Sequence, residues 1–209
     1  MDSTPAYNNY YEQGKHQSEK IFREAAKRNR WSLNVLRPTT IVGTRDSKRP
    51  SGSKVGLYQV ARLFYSECLK NLNKNHLTLC CGQGELNLVY IDQVVDKMIK
   101  IYQNSNSEAE IKSYFVSGSN VAIINILSSF SEIFVLEFST VNEMHKVPEE
   151  DVKINQRLEF FIPYTFEYNR KNFVGENLTD NNYIHDIDAL NLIEASRLEL
   201  ANDPPNGLY

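Results

Sequence analysis

The sequence has no long hydrophobic run, few cysteines and no strong excess of either charge. No apolar run reaches the roughly 18 residues that a membrane span needs, and the N-terminus is polar instead of basic and then apolar. We therefore expect neither a membrane span nor a secretory signal. The three cysteines, Cys68, Cys80 and Cys81, form no CxxC pair. This pattern predicts reduced thiols and favours a cytosolic location.

The charge balance also excludes some classes of partner. A formal net charge of −3 and a pI near 5.9 give no basic field of the kind that drives nucleic-acid binding. The four histidines have no ligand-like spacing, so we expect no metal site; they are His16, His76, His145 and His185. With 41% hydrophobic and 11% aromatic residues, the chain can form a packed core.

Alternating helical and extended patterns predict an α/β fold. Apolar and small residues recur at three to four residue intervals from Asn8 to about Arg30, which predicts an amphipathic helix. A buried strand is expected at Trp31–Pro38, and a Gly-, Ser- and cation-rich loop at Gly43–Gly56. The later elements expected are a helix at 57–72, a strand at 76–81, an extended run at 86–91, a helix capped by Asp92 that buries Val94, Val95, Met98, Ile99 and Tyr102, a strand at 113–118, and a helix at 123–134.

The pattern weakens beyond about residue 138. Helices are predicted at 147–161 and 184–201, on either side of a polar, Asn-rich segment. We therefore interpret residues 138–209 as a variable, mostly helical substrate-side region. Residues 1–137 would form the rest of the same domain, since no clear linker divides the chain.

Tyr11 and Lys15 lie four residues apart, on one face of the first predicted helix. They are either a proton donor and its electrostatic partner or two ordinary residues on a solvated face. A tyrosine is a poor proton donor at neutral pH, but an ammonium one helical turn away stabilises its phenolate. The pair alone does not decide between these interpretations, because a pattern with two fixed positions is common.

Three stretches together resemble a known family: YYEQGK with Glu19 after it, LRPTTIVG, and LNLVYIDQVVDKMIKIY. Their order and spacing are similar to those of extended short-chain dehydrogenases/reductases, above all the thioester reductases related to fatty acyl-CoA reductases. The resemblance implies the C-terminal portion of a Rossmann-type, doubly wound parallel sheet with a small, mostly helical substrate-side region. The family's N-terminal GxxGxxG half, which holds the dinucleotide pyrophosphate, has no counterpart in this sequence.

The resemblance also implies an activity. We expect the C-terminal part of an NAD(P)-dependent reductase that acts on a carbonyl or on a carrier- or CoA-bound thioester. NADP is favoured over NAD by resemblance. Because most of the dinucleotide site is missing, we expect this chain alone to be inactive. A separate N-terminal half, or a larger multidomain protein, would supply the remainder.

Individual residues receive roles from the same resemblance. Tyr11 would donate the proton and contact the cofactor, Lys15 would also bind the nicotinamide ribose, and the turn at Pro38 and Ile41 would lie along the nicotinamide. The cations Arg45, Lys48 and Arg49 would bind the phosphate of a substrate's phosphopantetheine arm, although they also fit a solvated loop.

Two alternatives remain open. A sugar-nucleotide epimerase or dehydratase of the same superfamily would share the YxxxK pattern. A truncated, non-catalytic remnant or interaction module would keep the fold without the chemistry. Substrate identity and oligomeric state do not follow from the sequence.

Overall fold

The computed structural model describes residues 7–45, 56–70, 74–105, 109–166 and 176–179, and these residues form an α/β fold. Helices and strands alternate through most of this part of the chain, as the sequence predicts. In order they are α1 (Tyr10–Asn29), β1 (Leu33–Pro38), β2 (Thr40–Val42), α2 (Leu57–Lys70), β3 (His76–Cys80), β4 (Glu85–Tyr90), α3 (Ile91–Gln103), β5 (Ile111–Ser117), β6 (Ser119–Ala122), α4 (Ile123–Phe134), β7 (Glu137–Val141), α5 (Val152–Leu158) and β8 (Glu176–Thr179).

The strands form three small sheets that are mainly parallel. β5 lies between β1 and β8 and is parallel to both. In the second sheet β4 pairs with β2 in parallel and with β6 in antiparallel orientation. In the third sheet β3 and β7 pair in parallel. Parallel neighbours joined through helices are typical of α/β proteins.

The first two sheets meet at two residues, Thr39 between β1 and β2 and Gly118 between β5 and β6. The side chain of Asn87 on β4 binds both. Its Oδ1 accepts hydrogen bonds from the Thr39 hydroxyl at 2.7 Å and from the Gly118 amide at 2.9 Å. Its Nδ2 donates to the Gly118 carbonyl at 3.2 Å. One side chain therefore joins the two places where the chain passes from sheet to sheet.

Helices α1 and α3 cover opposite faces of the first sheet. On one face, Arg23 of α1 donates a hydrogen bond to Ser113 of β5. On the other, Val94 of α3 packs with Val116 of β5 and Leu36 of β1. Neighbouring strand residues point to opposite faces, so Ser113 and Val116 belong to different layers. β1 is nevertheless only half-buried over most of its length, in contrast to the buried strand expected from its sequence.

The largest core lies beside the third sheet. The ring of Phe64 on α2 is 5.1 Å from Phe130 on α4 and 5.0 Å from Phe138 on β7, measured between ring centroids. Phe64 and Phe130 are fully buried. These rings join two helices to the β3–β7 pair, where aromatic contacts and apolar burial stabilise the fold.

Two side chains cover the edge of β3 that faces away from β7. Asp151 Oδ2 accepts a hydrogen bond from the Thr78 amide at 2.8 Å. Asn155, one turn later, accepts from the Cys80 amide at 2.6 Å and donates to the Thr78 carbonyl at 2.9 Å. Both side chains are buried. They satisfy backbone groups that another strand would otherwise bind.

The predicted cap of α3 is wrong by two residues. The helix begins at Ile91, and Tyr90 is its N-cap residue. The Gln93 Oε1 atom accepts a hydrogen bond from the Tyr90 amide at 3.1 Å. Asp92 instead accepts from the Arg45 amide, 3.3 Å from each carboxylate oxygen. Strand β4 runs directly into α3, so Asp92 already lies in the first helical turn.

The predicted burial of α3 is also largely wrong. Val94 is buried, whereas Val95, Met98 and Ile99 are about half exposed and Tyr102 is 82% exposed. The helix contacts the sheet along the side of Val94. At about 100° per residue, the other four lie roughly 40–140° further around the axis. One lateral face of α3 is therefore apolar and exposed.

The region 138–209 contains more than the predicted helices. Part of the expected helix at 147–161 is α5, but β7 precedes it and β8 lies in the Asn-rich segment. Strand β8 pairs with β5, far away in sequence, and local composition does not indicate such a pairing. The helix predicted at 184–201 lies outside the described residues. By contrast, α4 has the predicted bounds.

The glycine at the sheet crossing gives a prediction. A Cβ at Gly118 would lie 2.0 Å from the Leu88 carbonyl oxygen, whereas a Cβ at Gly14 on α1 would meet no atom within 4 Å. Gly118→Ala should therefore lower the free energy of unfolding by at least about 3 kcal/mol. Gly14→Ala should raise it by roughly 0.5–1 kcal/mol, because alanine favours the helix. Urea unfolding of both variants checks this, and a neutral Gly118→Ala would contradict the close approach.

Candidate active site

The N-terminus of α1, which bears the candidate pair, is fixed from two sides. Asn9 is the N-cap, and its Oδ1 accepts a hydrogen bond from the Glu12 amide at 3.0 Å. Tyr164, from the 3-10 turn Ile162–Thr165, donates its hydroxyl proton to Glu12 at 2.8 Å and accepts from Asn9 Nδ2 at 2.9 Å. The segment after α5 therefore docks on the start of this helix.

The structure brings Tyr11 and Lys15 together. Lys15 Nζ lies 5.3 Å from the centroid of the Tyr11 ring. Attraction between an ammonium and an aromatic face stabilises this geometry modestly. Tyr11 is 59% exposed and so is accessible from solvent. The contact is between the cation and the ring, and the catalytic roles of Tyr11 and Lys15 stay a prediction.

An aromatic surface stands beside Tyr11. The Phe160 ring lies edge-on to Tyr11, with centroids 6.2 Å apart, and contacts Phe161 at 5.3 Å. Tyr164 is 6.2 Å from Phe160. Because Phe160 is 43% exposed, part of this surface is accessible to a ligand. We call Phe160, Phe161 and Tyr164 the aromatic wall.

Glu19, one turn after Lys15, ties α1 to the first sheet. Its carboxylate accepts hydrogen bonds from Arg37 of β1 at 2.5 and 3.0 Å and from Arg23 at 2.7 Å. The Arg37 guanidinium also lies 5.3 Å from the centroid of the Phe115 ring. Burial alone would raise the pKa of the Glu19 carboxyl, but the hydrogen bonds from Arg37 and Arg23 outweigh it and lower that pKa. Glu19 therefore fixes the position of the helix on the sheet in its ionised form.

The turn from Pro38 to Ile41 follows the carboxyl end of β1. Its Thr39 amide donates to the Val116 carbonyl at 3.0 Å, and its hydroxyl binds Asn87 as described above. Ile41 is 37% exposed. Ligands of open α/β sheets bind outside the carboxyl ends of the strands, where this turn lies. The roles of Pro38 and Ile41 toward a cofactor stay a prediction.

Only part of the predicted phosphate-binding loop can be described. The Arg45 amide binds Asp92, which fixes the start of the loop at the N-terminus of α3. Lys48 and Arg49 lie outside the described residues. The phosphate role of these three cations stays a prediction.

Several residues of the site did not emerge from the sequence. The four-residue spacing of Tyr11, Lys15, Glu19 and Arg23 places them on one stripe of α1 and could have indicated the ionic contact with the sheet. Nothing in the sequence indicates the contacts of Tyr164 with Asn9 and Glu12, or those of Asn87, because these partners are distant in the chain.

In the part of the chain that the structure describes, no group of three or more His, Cys, Asp or Glu side chains could hold a metal ion. None of the described helices is long and apolar enough to cross a membrane. Cys80 and Cys81 are free and buried, and burial raises the pKa of the Cys81 thiol to about 11.

Residues 1–98 match the model of the NAD_binding_4 family, described as male sterility protein. The match confirms the predicted relationship to extended short-chain dehydrogenases/reductases. No curated protein matches the chain in sequence.

Solved structures resemble the chain in fold. A UDP-glucose 4-epimerase from Bifidobacterium longum, in complex with NAD+ and UDP, has 12% identity and a TM-score of 0.55 over 96% of this chain and 58% of that one. A nucleoside-diphosphate-sugar epimerase from Pseudomonas aeruginosa has 17% identity and a TM-score of 0.52 over 95% of this chain and 59% of that one. A UDP-glucuronic acid 4-epimerase from Bacillus cereus, in complex with UDP-glucuronic acid and NAD, has 15% identity and a TM-score of 0.52 over 95% of this chain and 56% of that one.

At these identities the likeness concerns the fold alone. The chain spans less than two thirds of the length of these proteins. The predicted fold class, the C-terminal portion of a Rossmann-type sheet, is confirmed.

The Glu19 contacts predict a pH-dependent stability. Since the folded-state pKa of Glu19 is lowered from an ordinary value of 4.5, its ionisation stabilises the fold above that value, and this contribution is lost as the pH falls through the lower, folded-state pKa. Glu19→Gln should therefore reduce the free energy of unfolding at pH 7, and its difference from the wild type should shrink below about pH 4.5. Urea unfolding at several pH values measures this difference.

The exposed Glu24 on the same helix provides a matched control. Glu24→Gln should change stability little at any of these pH values. A Glu19→Gln effect as small as that of Glu24→Gln at pH 7 would show that the ionic contacts do not stabilise the fold.

Proposed function

Because residues 1–98 belong to the extended short-chain dehydrogenase/reductase family, we propose that the chain is the C-terminal part of an NAD(P)-dependent reductase. Its substrate would be a carbonyl compound or a carrier- or CoA-bound thioester. The observation that supports this best is the position of Lys15 against the Tyr11 ring, beside an accessible aromatic wall. In this proposal the phenol would donate the proton, and the ammonium would stabilise the phenolate that remains.

When bound, the dinucleotide supplies the hydride for the carbonyl carbon. The side chains of this chain handle the proton and the orientation. Tyr11 donates its phenolic proton to the oxygen on which negative charge develops. Lys15 stabilises the resulting phenolate by its charge. Glu19 holds the helix that bears both side chains against β1, from which the turn Pro38–Ile41 leads.

The residues also fit a nicotinamide-facing role for that turn. Ile41 is accessible, and the adjoining Thr39 is fixed through two hydrogen bonds, to Val116 and Asn87. The family match and the NAD-bound structural relatives support an NAD(P) cofactor. We propose NADP as the preferred form, with a glycine-rich half supplied by another chain or by a larger multidomain protein. The free thiols of Cys80 and Cys81 are compatible with the cytosolic location that we also propose.

The aromatic wall favours an acyl substrate over a sugar nucleotide. Phe160 offers apolar surface next to Tyr11, which suits an alkyl chain better than a sugar or a diphosphate. The epimerase alternative has one observation in its favour, the fold shared with sugar-nucleotide epimerases. A second alternative, a non-catalytic interaction module, has the exposed apolar face of α3 in its favour.

Removing the phenolic hydroxyl tests the catalytic pair. In an enzyme that contains this chain together with a glycine-rich dinucleotide-binding half, Tyr11→Phe should lower kcat for an alkyl aldehyde by roughly 100-fold or more. Lys15→Ala should lower kcat and also weaken NADPH binding. Stopped-flow oxidation of NADPH and fluorescence titration measure the two quantities.

The neighbouring residues provide controls for the pair. Tyr10 is 90% exposed, and Tyr10→Phe should leave kcat unchanged, as should Lys20→Ala. Wild-type turnover in Tyr11→Phe would mean that this tyrosine is structural. Conversion of a UDP-sugar without net oxidation of NADPH would instead favour the epimerase.

The basic loop gives a separate prediction about the substrate. If Arg45, Lys48 and Arg49 bind the phosphate of a carrier arm, their joint replacement by alanine should raise KM for a phosphopantetheine thioester by roughly tenfold. The KM for a free aldehyde should stay nearly constant. Equal effects on both substrates would contradict the phosphate role. Three exposed cations of α1, Lys20, Lys27 and Arg28, provide a charge-matched control.

A further inference from the structure

The segment that carries the aromatic wall packs on the backbone of the turn between β3 and β4. The Gly82 amide donates a hydrogen bond to the Thr165 hydroxyl at 2.7 Å, and the Gly84 amide donates to the Thr165 carbonyl at 2.8 Å. A Cβ at Gly82 or Gly84 would lie 2.6 or 2.7 Å from that carbonyl oxygen. The two glycines therefore permit a close approach that a side chain at either position would prevent.

One hydroxyl group fixes the other side of the same segment. Tyr164, next to Thr165 in the chain, donates to Glu12 at 2.8 Å and accepts from Asn9 at 2.9 Å. A phenolic hydroxyl has a single proton to donate, and here that proton binds a carboxylate. Asn9 is the N-cap of α1 and Glu12 lies in its first turn. The hydroxyl thus links the aromatic wall to the start of the helix that bears Tyr11.

These contacts form a closed set around Phe160. Its ring lies 6.2 Å from the Tyr11 ring and 6.2 Å from the Tyr164 ring, measured between centroids. Tyr164 in turn binds Glu12, which follows Tyr11 directly in the chain. Tyr11 and Tyr164 are therefore connected twice, once through the Phe160 ring and once through Glu12.

Packing does not enclose Phe160, because 43% of its surface is exposed. Contacts between aromatic rings permit a range of offsets and tilts. A hydrogen bond to a carboxylate is stronger and more directional than such a contact. The hydroxyl of Tyr164 is therefore the part of this set that limits the distance between Phe160 and Tyr11 most narrowly.

We propose that Tyr164 is a positioning residue for the apolar part of the substrate. It acts through Phe160, whose ring it keeps at the distance from Tyr11 where the ring contacts the alkyl chain of a bound acyl group. The inference rests on the proposed function, since the carbonyl is taken to bind at Tyr11. It adds a selectivity: Tyr164 favours substrates with a chain that reaches Phe160 and has no effect on shorter ones.

Binding of octanamide, a non-reactive analogue of an alkyl acyl group, tests the proposal without turnover. NMR titration of the isotope-labelled chain should give saturable shifts at the amides of Tyr11 and Phe160. Tyr164→Phe keeps the ring and removes the hydroxyl, so it should weaken octanamide binding by roughly threefold to tenfold. Tyr10→Phe removes the hydroxyl from a ring that is 90% exposed and should leave the affinity unchanged.

A double-mutant cycle shows whether Tyr164 acts through Phe160. Phe160→Ala removes the ring itself and should weaken octanamide binding at least as much as Tyr164→Phe does. If Tyr164 acts through that ring, adding Tyr164→Phe to Phe160→Ala should weaken binding little further. A general loss of structure would instead weaken binding equally with and without the Phe160 ring.

Kinetics of the enzyme that also contains a glycine-rich dinucleotide-binding half provide a second measurement. Tyr164→Phe should lower the ratio of kcat/KM for octanal to kcat/KM for acetaldehyde by roughly tenfold. The change should lie mainly in the KM for octanal, because the lost contact concerns the chain and not the carbonyl. The affinity for NADPH should stay constant.

Three results of the titration would overturn the proposal: no saturable shift at Phe160, equal octanamide affinity in the wild type and Tyr164→Phe, or equal effects of Tyr164→Phe with and without the Phe160 ring. The titration needs neither a dinucleotide nor turnover. Octanamide binding that depends on Tyr164, in an enzyme without reductase activity, would support this inference and contradict the proposed function. Reductase activity with equal octanamide affinities would contradict this inference alone.

Discussion

The crossing between the first two sheets is the constraint on which the site depends. Strand β1 leaves the first sheet at Thr39, and β5 leaves it at Gly118, where only a residue without a side chain fits against Leu88. Asn87 holds both crossing points with one amide group. The turn that the proposed cofactor would contact starts at this crossing. Its position therefore follows from the packing of two sheets and not from the turn sequence alone.

Different interactions hold the helices on the two faces of the first sheet: ionic hydrogen bonds on one face and apolar burial on the other. On the α1 face, Glu19 and Arg37 fix the helix through ionised hydrogen bonds. On the α3 face, a small apolar cluster around Val94 makes the contact. Directional contacts set the orientation of a helix more narrowly than apolar ones do. Helix α1, which bears the candidate catalytic residues, is the helix held by these directional contacts.

Local patterns predicted the helices well and the contacts between elements poorly. The bounds of α4 and the stripe on α1 follow from periodicity within one segment. Strand β8 and the exposed face of α3 depend on which distant segments meet, and composition does not contain that information. The Asn87 and Tyr164 contacts join residues more than 30 and 150 positions apart. For the same reason, the site residues predicted from the sequence lie within single segments: one helix, one turn and one loop.

The cover that Asp151 and Asn155 place on β3 determines where this architecture can join other chains. A strand from another molecule cannot add to β3 without displacing two buried side chains and the hydrogen bonds they make. Within the described residues, β1 pairs with β5 alone and has no comparable cover on its other side. Backbone pairing with another chain is therefore directed away from β3 and toward strand edges without such a cover. The β1 edge, next to the helix that bears Tyr11, is one of them.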